Sequence, residues 1–317
     1  METIYFLVQQ TMLFSIPLLL VALGGMFSER SGVVNIALEG IMIIGAFTGI
    51  FFISRFGNLF SPTITLFIAI IISALSGLIF SLLHAYASIN MSADQVISGT
   101  ALNIFAPAFA IYVTRAIQVV QQISFVNNFR IESVPVLGNI PIIGNLLFKN
   151  AYITTYLGFI ILALSWFALY KTRFGLRLRS CGEHPQAADS VGINVYKMRY
   201  FGVAISGALA GIGGLVFVIP TSTNFNATVA GYGFLALAVL IFGQWKPMRI
   251  LYAAFFFGLM KTLASAYSGI PILSNFPISN SVYKMIPYIT TIIVLAFTSK
   301  NSQAPKASGL PYDKSVR

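Results

Sequence analysis

The sequence predicts an all-α, polytopic membrane protein with about nine transmembrane helices, its N-terminus outside the cell and its C-terminus inside. Hydrophobic residues make up 57% of the 317 residues, charged residues only 9%, and the mean hydropathy is +0.85. A soluble domain needs about 25% charged residues to cover its surface. The composition therefore excludes a soluble fold, and it argues against a nucleic-acid-binding role despite the net charge of +11.

Continuous apolar runs predict the spans. A transmembrane helix needs about 20 mostly apolar residues, whereas barrel strands alternate over about ten, so helices are favoured. The first run follows Glu2 rather than a basic segment and is too long for a cleaved signal, so we expect it to remain as a helix. The predicted spans are residues 5–27, 33–53, 61–83, 93–113, 151–170, 200–220, 230–243, 250–267 and 282–298.

The distribution of Lys and Arg predicts the orientation of the bundle. Of the 19 basic residues, 13 fall in the segments that follow the first, fifth, seventh and ninth predicted spans. Cytoplasmic segments of membrane proteins carry the excess of positive charge. The N-terminus is therefore expected outside and the C-terminus inside, a parity that nine spans satisfy. The basic charge also suits contact with anionic lipid.

The chain divides into a transmembrane domain, residues 1–299, and a polar cytoplasmic tail, residues 300–317. Within the domain, 114–150 is expected to be a long external loop, and 171–199 a long basic cytoplasmic loop. Short polar termini of this kind are often poorly ordered, and we expect the same of this tail.

Sequence signatures of catalysis are missing. There is no GxxxxGK[ST] loop for nucleotide binding, no HExxH pair and no GxSxG elbow. His84 and His184 are far apart in sequence, and Cys181 is the single cysteine, so a metal site is not expected. An embedded protease or transferase is thus disfavoured, and the chain is interpreted as a conduit rather than an enzyme.

The cytoplasmic loop carries the most specific local pattern. Pro185 suits the first turn of a helix, the stretch from Gln186 to Val191 is helical in character, and Gly192 suits a C-terminal stop. A short helix exposed on this face suits docking to a partner, with Ala187 and Ala188 permitting close approach. An ordinary amphipathic loop helix remains the alternative on spacing alone.

Gln186-Ala-Ala-x-x-x-Gly192 resembles the coupling-helix motif of ABC importer permeases, with Gln where Glu is common. The blocks from Ser28 to Gly40, Asn90 to Asn103 and Ser206 to Gly214 are similar to the branched-chain amino acid, simple sugar and nucleoside permease family. The resemblance covers about 5–298. Within that family the chain looks closest to the shorter permease subunit of bacterial nucleoside importers.

The resemblance implies that the chain binds no cofactor itself and that ATP is used by a separate ATPase subunit. It also implies a second, different permease chain and an extracellular substrate-binding lipoprotein, and it places this chain in the bacterial cell membrane as a multi-pass protein. The residues expected to couple ATP hydrolysis to transport are Gln186, Ala187, Ala188, Asp189 and Gly192. Flanking Arg177, Arg179, Lys197 and Arg199 are interpreted as topology anchors in preference to ATPase contacts.

Polar residues inside the spans are candidates for the translocation path, because polar groups at membrane depth usually face a cavity or a partner. The candidates are Asn35, Glu39, Asn103 and Asn226. For Glu39 a structural pair with Arg30 is favoured over the path. Asn35-x4-Gly40 and Asn226-x4-Gly231 indicate an inverted repeat with broken helices, and capping of those helices by the Asn residues is the alternative.

Other features have simpler interpretations. Lys261 is expected to snorkel or to pair inside the bundle rather than to contact substrate. Gly207, Gly211, Gly213 and Gly214 are expected to allow close helix packing. Import of simple sugars or branched-chain amino acids remains the alternative within the family. An ion-coupled secondary transporter or channel is the alternative from a different class.

Overall fold

The computed structural model describes residues 2–134, 138, 140–141, 144–266, 280–298 and 303–314. Most of this chain is helical, as predicted. The helices are α1 (Glu2–Arg30), α2 (Leu38–Phe56), α3 (Pro62–Ile89), α4 (Gln95–Gln118), α5 (Ile153–Lys171), α6 (Arg173–Glu183), α7 (Pro185–Ser190), α8 (Val195–Thr221), α9 (Tyr232–Phe242), α10 (Pro247–Ala266) and α11 (Asn280–Thr298).

Seven helices in the described part of the chain are long and apolar enough to cross a membrane: α1, α2, α3, α4, α5, α8 and α10. The protein is therefore a multi-pass membrane protein. Helix α9 has 11 residues, about 16 Å at 1.5 Å per residue, and is too short to cross a bilayer unaided. The predicted eighth span extends one residue beyond the described part of α10.

Two antiparallel helices, α1 and α8, form the centre of the bundle. Gly24 of α1 lies against Ser206, while Gly213 of α8 lies against Pro17, so contacts run in opposite directions along the two helices. Gly207 and Gly211 pack directly on the backbone of α3, and Gly214 packs on that of α2. A side chain at any of these glycines would overlap a neighbouring helix, which confirms the packing role predicted for them.

The packing pattern repeats after α7. Helix α1 packs on α9 and α10, just as α8 packs on α2 and α3. Helix α2 contacts α3 and α4, and α9 contacts α10 and α11 in the same way. Since α1 and α8 are antiparallel, this is the contact pattern expected of an inverted repeat of four helices.

Four short strands lie together at one end of the bundle, hereafter the strand end. They are β1 (Ile123–Ser124), β2 (Arg130–Ser133), β3 (Lys149–Tyr152) and β4 (Asn224–Phe225). β1 pairs with β4 and β2 pairs with β3, both antiparallel. The first pair ties the 114–150 loop to the segment that follows α8.

The opposite end carries α6, α7 and the C-terminal segment, residues 303–314, and is called the coupling-loop end. The expectation of a poorly ordered tail is wrong for this segment. Gly309 N donates a hydrogen bond to the Gly32 carbonyl at 3.2 Å, and Ala307 N donates one to the Gly182 carbonyl at 2.8 Å. Tyr312 is buried. The segment is short and polar in composition, but backbone donors and one aromatic ring fix it to the bundle.

Candidate coupling and translocation sites

Helix α7 is a single short helix held between two well-defined ends. Pro185 occupies its first turn, where no N–H is needed. At its other end Gly192 adopts a left-handed conformation with φ +82. Gly192 N donates to the Asp189 carbonyl at 2.9 Å, and Ile193 N donates to the Ala188 carbonyl at 3.1 Å. This pair of bonds is a Schellman motif, so the predicted helix and its glycine stop are both present.

The five predicted coupling residues occupy different environments. Gln186, Ala187 and Gly192 are exposed, Asp189 is half-buried and Ala188 is buried at 3% exposure. Ala188 packs in a small cluster with Cys181, Val195 and Tyr312. Exposed Gln186 and Ala187 are therefore available to a partner, whereas Ala188 attaches α7 to the rest of the protein.

Helix α6 connects α7 to the end of α1. Gly182 lies directly on the carbonyl group of Arg30, so close that a side chain there would overlap it. Arg30 Nη1 lies 3.4 Å from Glu183 Oε1, and Arg30 Nη2 donates to the Trp245 carbonyl at 3.2 Å. This backbone contact joins the end of α6, and therefore α7, to the end of α1. The predicted pairing of Arg30 with Glu39 is wrong, because Arg30 lies at the coupling-loop end and Glu39 lies deeper in the bundle.

A non-helical segment, residues 31–37, separates α1 from α2 and enters the bundle. Asn35 is fully buried; its Nδ2 donates to Ser206 Oγ at 2.9 Å and its Oδ1 accepts from Ala37 N at 3.1 Å. Asn103 Oδ1 accepts from Gly40 N at 2.7 Å, and its Nδ2 donates to the Ile36 carbonyl at 2.8 Å. Both amides bind the backbone where helical hydrogen bonds are interrupted.

Glu39 joins this break to a second one. Its Oε1 accepts from Gly231 N at 2.9 Å and its Oε2 from Gly233 N at 2.6 Å. Glu39 is the second residue of α2, so its carboxylate lies at the N-termini of both α2 and α9, where helix dipoles favour negative charge. Gly233 packs directly on the Glu39 backbone. This contact between the starts of α2 and α9 is called the joint.

The joint lies well inside the bundle. Asn103, which binds Gly40, is eight residues from the start of α4, or about 12 Å along that helix. The α4 start itself contacts the segment after α1, because Val34 N donates to Gln95 Oε1 at 2.7 Å. Residues 31–37 therefore approach the joint from the coupling-loop end. Residues 222–231, which include β4, approach it from the strand end.

Asn226 and Lys261 lie on the strand-end side of the joint. Asn226 is exposed and does not share the buried setting of Asn35. Lys261 Nζ lies 5.7 Å from the centre of the Tyr232 ring, a cation–π distance, and the Phe217 and Tyr232 ring centres are 4.0 Å apart. Lys261 is thus paired inside the bundle, one of the two arrangements expected for it.

The repeat register differs from the one that the Asn-x4-Gly patterns indicated. Those patterns equate Gly40 with Gly231, but the structure begins α2 at Leu38 and α9 at Tyr232. Matching the helix starts equates Glu39 with Gly233, three residues away from the sequence register. The broken helices are present, whereas the Asn residues are not equivalent between the halves.

Comparison with known proteins identifies the family. Residues 7–295 match the family described as "Branched-chain amino acid transport system / permease component". The chain belongs to this permease family. It is 42% identical over 99% of its length, and 98% of the relative's, to the nucleoside ABC transporter permease protein NupC of Lactococcus lactis. It is 44% identical to the guanosine ABC transporter permease protein NupQ of Bacillus subtilis, over 98% of this chain and 97% of the relative.

A more distant relative, the nucleoside ABC transporter permease protein NupB of Lactococcus lactis, is 25% identical over 92% of this chain and 81% of its own. No solved structure matches. The permease is therefore a membrane component of an ABC transporter, a class of machine that also has ATPase and substrate-binding components.

The basic residues around α7 separate into two groups in the permease. Arg177 and Lys197 are exposed, and Arg179 lies over the Tyr170 ring at 5.1 Å. Arg199 is 1% exposed, so it is unavailable to an ATPase. Its Nη1 donates to the Leu310 carbonyl at 3.0 Å. Arg199 therefore binds the C-terminal segment, a role that the sequence did not indicate.

Sequence reasoning also missed the structural roles of two polar residues of the permease, His84 and Glu29. Buried His84 contacts the Val34 carbonyl through Nε2 at 2.9 Å and Ser98 Oγ through Nδ1 at 3.1 Å, so it supports the break after α1. Trp245 Nε1 donates to Glu29 Oε2 at 2.6 Å. A lone histidine or carboxylate within an apolar run is itself the signal, because such groups require a buried partner.

Proposed function

We propose that this permease is the membrane-spanning subunit of an ATP-driven importer of nucleosides. The proposed substrate class rests on the similarity of this chain to two permeases named for nucleoside and guanosine transport. It is 42% and 44% identical to them over nearly its whole length. The observation that supports ATP coupling is that α7 exposes Gln186 and Ala187 and directly follows α6, whose Gly182 packs on the Arg30 backbone at the end of α1.

In the proposed topology the coupling-loop end is cytoplasmic and the strand end is external. Helices α9 and α11 complete nine spans with the seven long ones. The excess of Lys and Arg near the coupling-loop end supports this orientation. Helix α9 is short because residues 222–231 enter the bundle before it begins, which is the arrangement of a broken helix in a transporter.

In the proposed mechanism, ATP binding and hydrolysis on a separate subunit move α7, and α6 transmits that motion to α1 and the joint. Asn35, Glu39 and Asn103 hold the two helix starts together beside the substrate path, and Asn226 borders its external side. Alternating access then follows from a rearrangement of the inverted repeats about the joint. The chain itself would bind no cofactor.

The described residues give little support to ion-coupled transport by this chain alone. Glu29 binds Trp245, Glu39 binds two backbone N–H groups, and Asp94 Oδ1 accepts from Val96 N and Ile97 N as a helix cap. Each of these carboxylates has a structural partner. An ion-coupled secondary transporter is expected to carry carboxylates or basic residues deep in several spans as ion-coupling groups.

The proposed assembly contains a second, different permease, an ATPase and an extracellular substrate-binding lipoprotein. Two matching permeases in Lactococcus lactis, NupC and NupB, support pairing of unlike chains. The test is uptake of labelled guanosine, ribose and leucine by proteoliposomes that contain this chain and its genomically neighbouring subunits. ATP-dependent guanosine uptake is expected. Uptake of ribose or leucine instead would contradict the substrate class, and transport by this chain without ATP would contradict the importer.

A further inference from the structure

The C-terminal segment, residues 303–314, is fixed to the coupling-loop end at several points along its length. Its contacts reach the break after α1, the end of α6 and the turn before α10. The hydrogen bonds are Gln303 N to Gln244 Oε1 at 2.9 Å, Ala307 N to the Gly182 carbonyl at 2.8 Å, Gly309 N to the Gly32 carbonyl at 3.2 Å, and Arg199 Nη1 to the Leu310 carbonyl at 3.0 Å. The segment therefore has a defined path across this face.

Tyr312 fixes the last part of that path against α7. It is 5% exposed and packs with Ala188, Cys181 and Val195. Its ring centre lies 5.9 Å from the Arg199 guanidinium carbon. The following Asp313 and Lys314 are exposed. Their charged side chains are thus held beside α7 by an anchored neighbour.

A cleft of about 500 Å³ separates α7 from the C-terminal segment. One wall is Gln186, Ala187, Asp189 and Ser190, and the other is Tyr312, Asp313 and Lys314. A second hollow of about 260 Å³ shares Asp189 and Lys314 and extends past Gly192 to Tyr196. Three predicted coupling residues therefore line the first cleft, and a fourth lines the hollow beside it.

Helix α7 alone is a small docking surface. Six residues span about 9 Å of helix, whereas specific protein interfaces bury about 800 Å² on each partner. The C-terminal segment widens the exposed α7 surface and adds one charge of each sign. It continues the surface through which the proposed function couples this chain to its ATPase, and that continuity identifies the occupant.

We propose that the C-terminal segment is the second wall of the ATPase docking site, with Lys314 and Asp313 contacting the ATPase subunit alongside Gln186 and Ala187. This inference rests on the proposed function, since it presupposes that α7 docks an ATPase. It assigns partner recognition to a segment that lies outside the QAAxxxG motif.

The test compares two charge reversals on the C-terminal segment, Lys314→Glu and Lys306→Glu. Lys314 lines the cleft and the hollow beside it, whereas Lys306 is exposed and lines neither, so its variant is the control. Binding of the ATPase subunit is measured on the assembled permease pair in nanodiscs, with Ala187→Trp as a probe of the α7 wall. We expect Lys314→Glu to weaken binding at least tenfold, Ala187→Trp to weaken it similarly, and Lys306→Glu to change it less than twofold.

The outcomes separate this inference from the proposed function. Weaker binding with Ala187→Trp but unchanged binding with Lys314→Glu would overturn the second wall and leave the α7 contact intact. Unchanged binding in both variants would overturn coupling through α7 itself. A photo-cross-linker on Lys314→Cys provides a second measurement, and we expect an adduct with the ATPase. An adduct only with a second permease copy, or equal adducts from Lys306→Cys, would overturn the cleft as the docking site.

Discussion

The joint and α7 use polar residues in opposite ways. At the joint, Glu39 and Asn35 are buried and their polar atoms bind backbone groups or a neighbouring hydroxyl. On α7, Gln186 is exposed and borders an open cleft. A polar group surrounded by apolar helices must find a partner within the protein, whereas one at an exposed end can bind another subunit. The joint therefore maintains the fold, and α7 is available for coupling.

Loss of the Glu39 carboxylate is expected to have the largest effect. Glu39→Ala leaves two backbone N–H groups inside the bundle without acceptors, at a cost of about 3 kcal/mol of folding stability. Glu39→Gln keeps one acceptor oxygen and should recover part of that loss. Thermal unfolding in nanodiscs measures both variants. If Glu39→Ala unfolds at the wild-type temperature but fails to transport, Glu39 belongs to the substrate path rather than to the joint.

Adjacent alanines on α7 provide a matched pair of variants. Ala187→Trp adds bulk to the exposed face, so we expect unchanged stability and a loss of ATP-driven uptake of at least tenfold. Ala188→Trp forces a ring among Cys181, Val195 and Tyr312 and should cost about 2 kcal/mol through overpacking. Unfolding and uptake are measured on the same preparations. Equal destabilisation by the two variants would contradict the assignment of exposed and buried faces.

Variants of Gly192 test whether the end of α7 affects coupling through its backbone conformation or through the contact that it offers to a partner. Its φ of +82 suits glycine, and a Cβ there would meet nothing within 4 Å. Gly192→Arg should cost about 1 kcal/mol of backbone strain, leave the membrane fold intact and uncouple ATP hydrolysis from uptake. Gly192→Asn, which tolerates this conformation better, is the control. Normal substrate-stimulated hydrolysis and uptake in Gly192→Arg would contradict the coupling role.

These two regions also explain how far the sequence could predict the structure. Continuous apolar runs located the helices, and the Pro185 and Gly192 signals located α7, because both depend on local chemistry. The partner of Glu39 is 192 residues away at Gly231, a contact that no local pattern specifies. The pairing with Arg30 was wrong because nearness in sequence was taken for nearness in space. The tail was misjudged because its anchors are mainly backbone groups, which composition does not reveal.

Cys181 reports on the buried layer beneath α7. Burial raises the pKa of its thiol to about 11, so at pH 7 only about one thiol in ten thousand is the reactive thiolate. The alkylation rate should rise about tenfold per pH unit from pH 7 to 10. Mass spectrometry follows the labelling, with an exposed cysteine from Ala187→Cys as the control that saturates near pH 9. If the alkylation rates of the two thiols had the same midpoint pH, α7 would not cover Cys181.

The smallest effect on stability is expected from substitution of Glu183, whose carboxylate is exposed where that of Glu39 is buried. The Glu183 side chain is 45% exposed and lies 3.4 Å from Arg30 Nη1. Without Glu183, Arg30 keeps the hydrogen bonds that its Nε and Nη2 donate to the Trp245 carbonyl. Because exposed ion pairs contribute little, Glu183→Gln should change stability by less than about 0.5 kcal/mol. Thermal unfolding at low and high salt measures this difference. A loss comparable to that of Glu39→Ala would mean that α6 is attached to α1 by charge. If Glu183→Gln keeps the wild-type stability, as expected, the contact of Gly182 with the Arg30 backbone remains as the attachment of α6 to α1 on which the proposed mechanism depends.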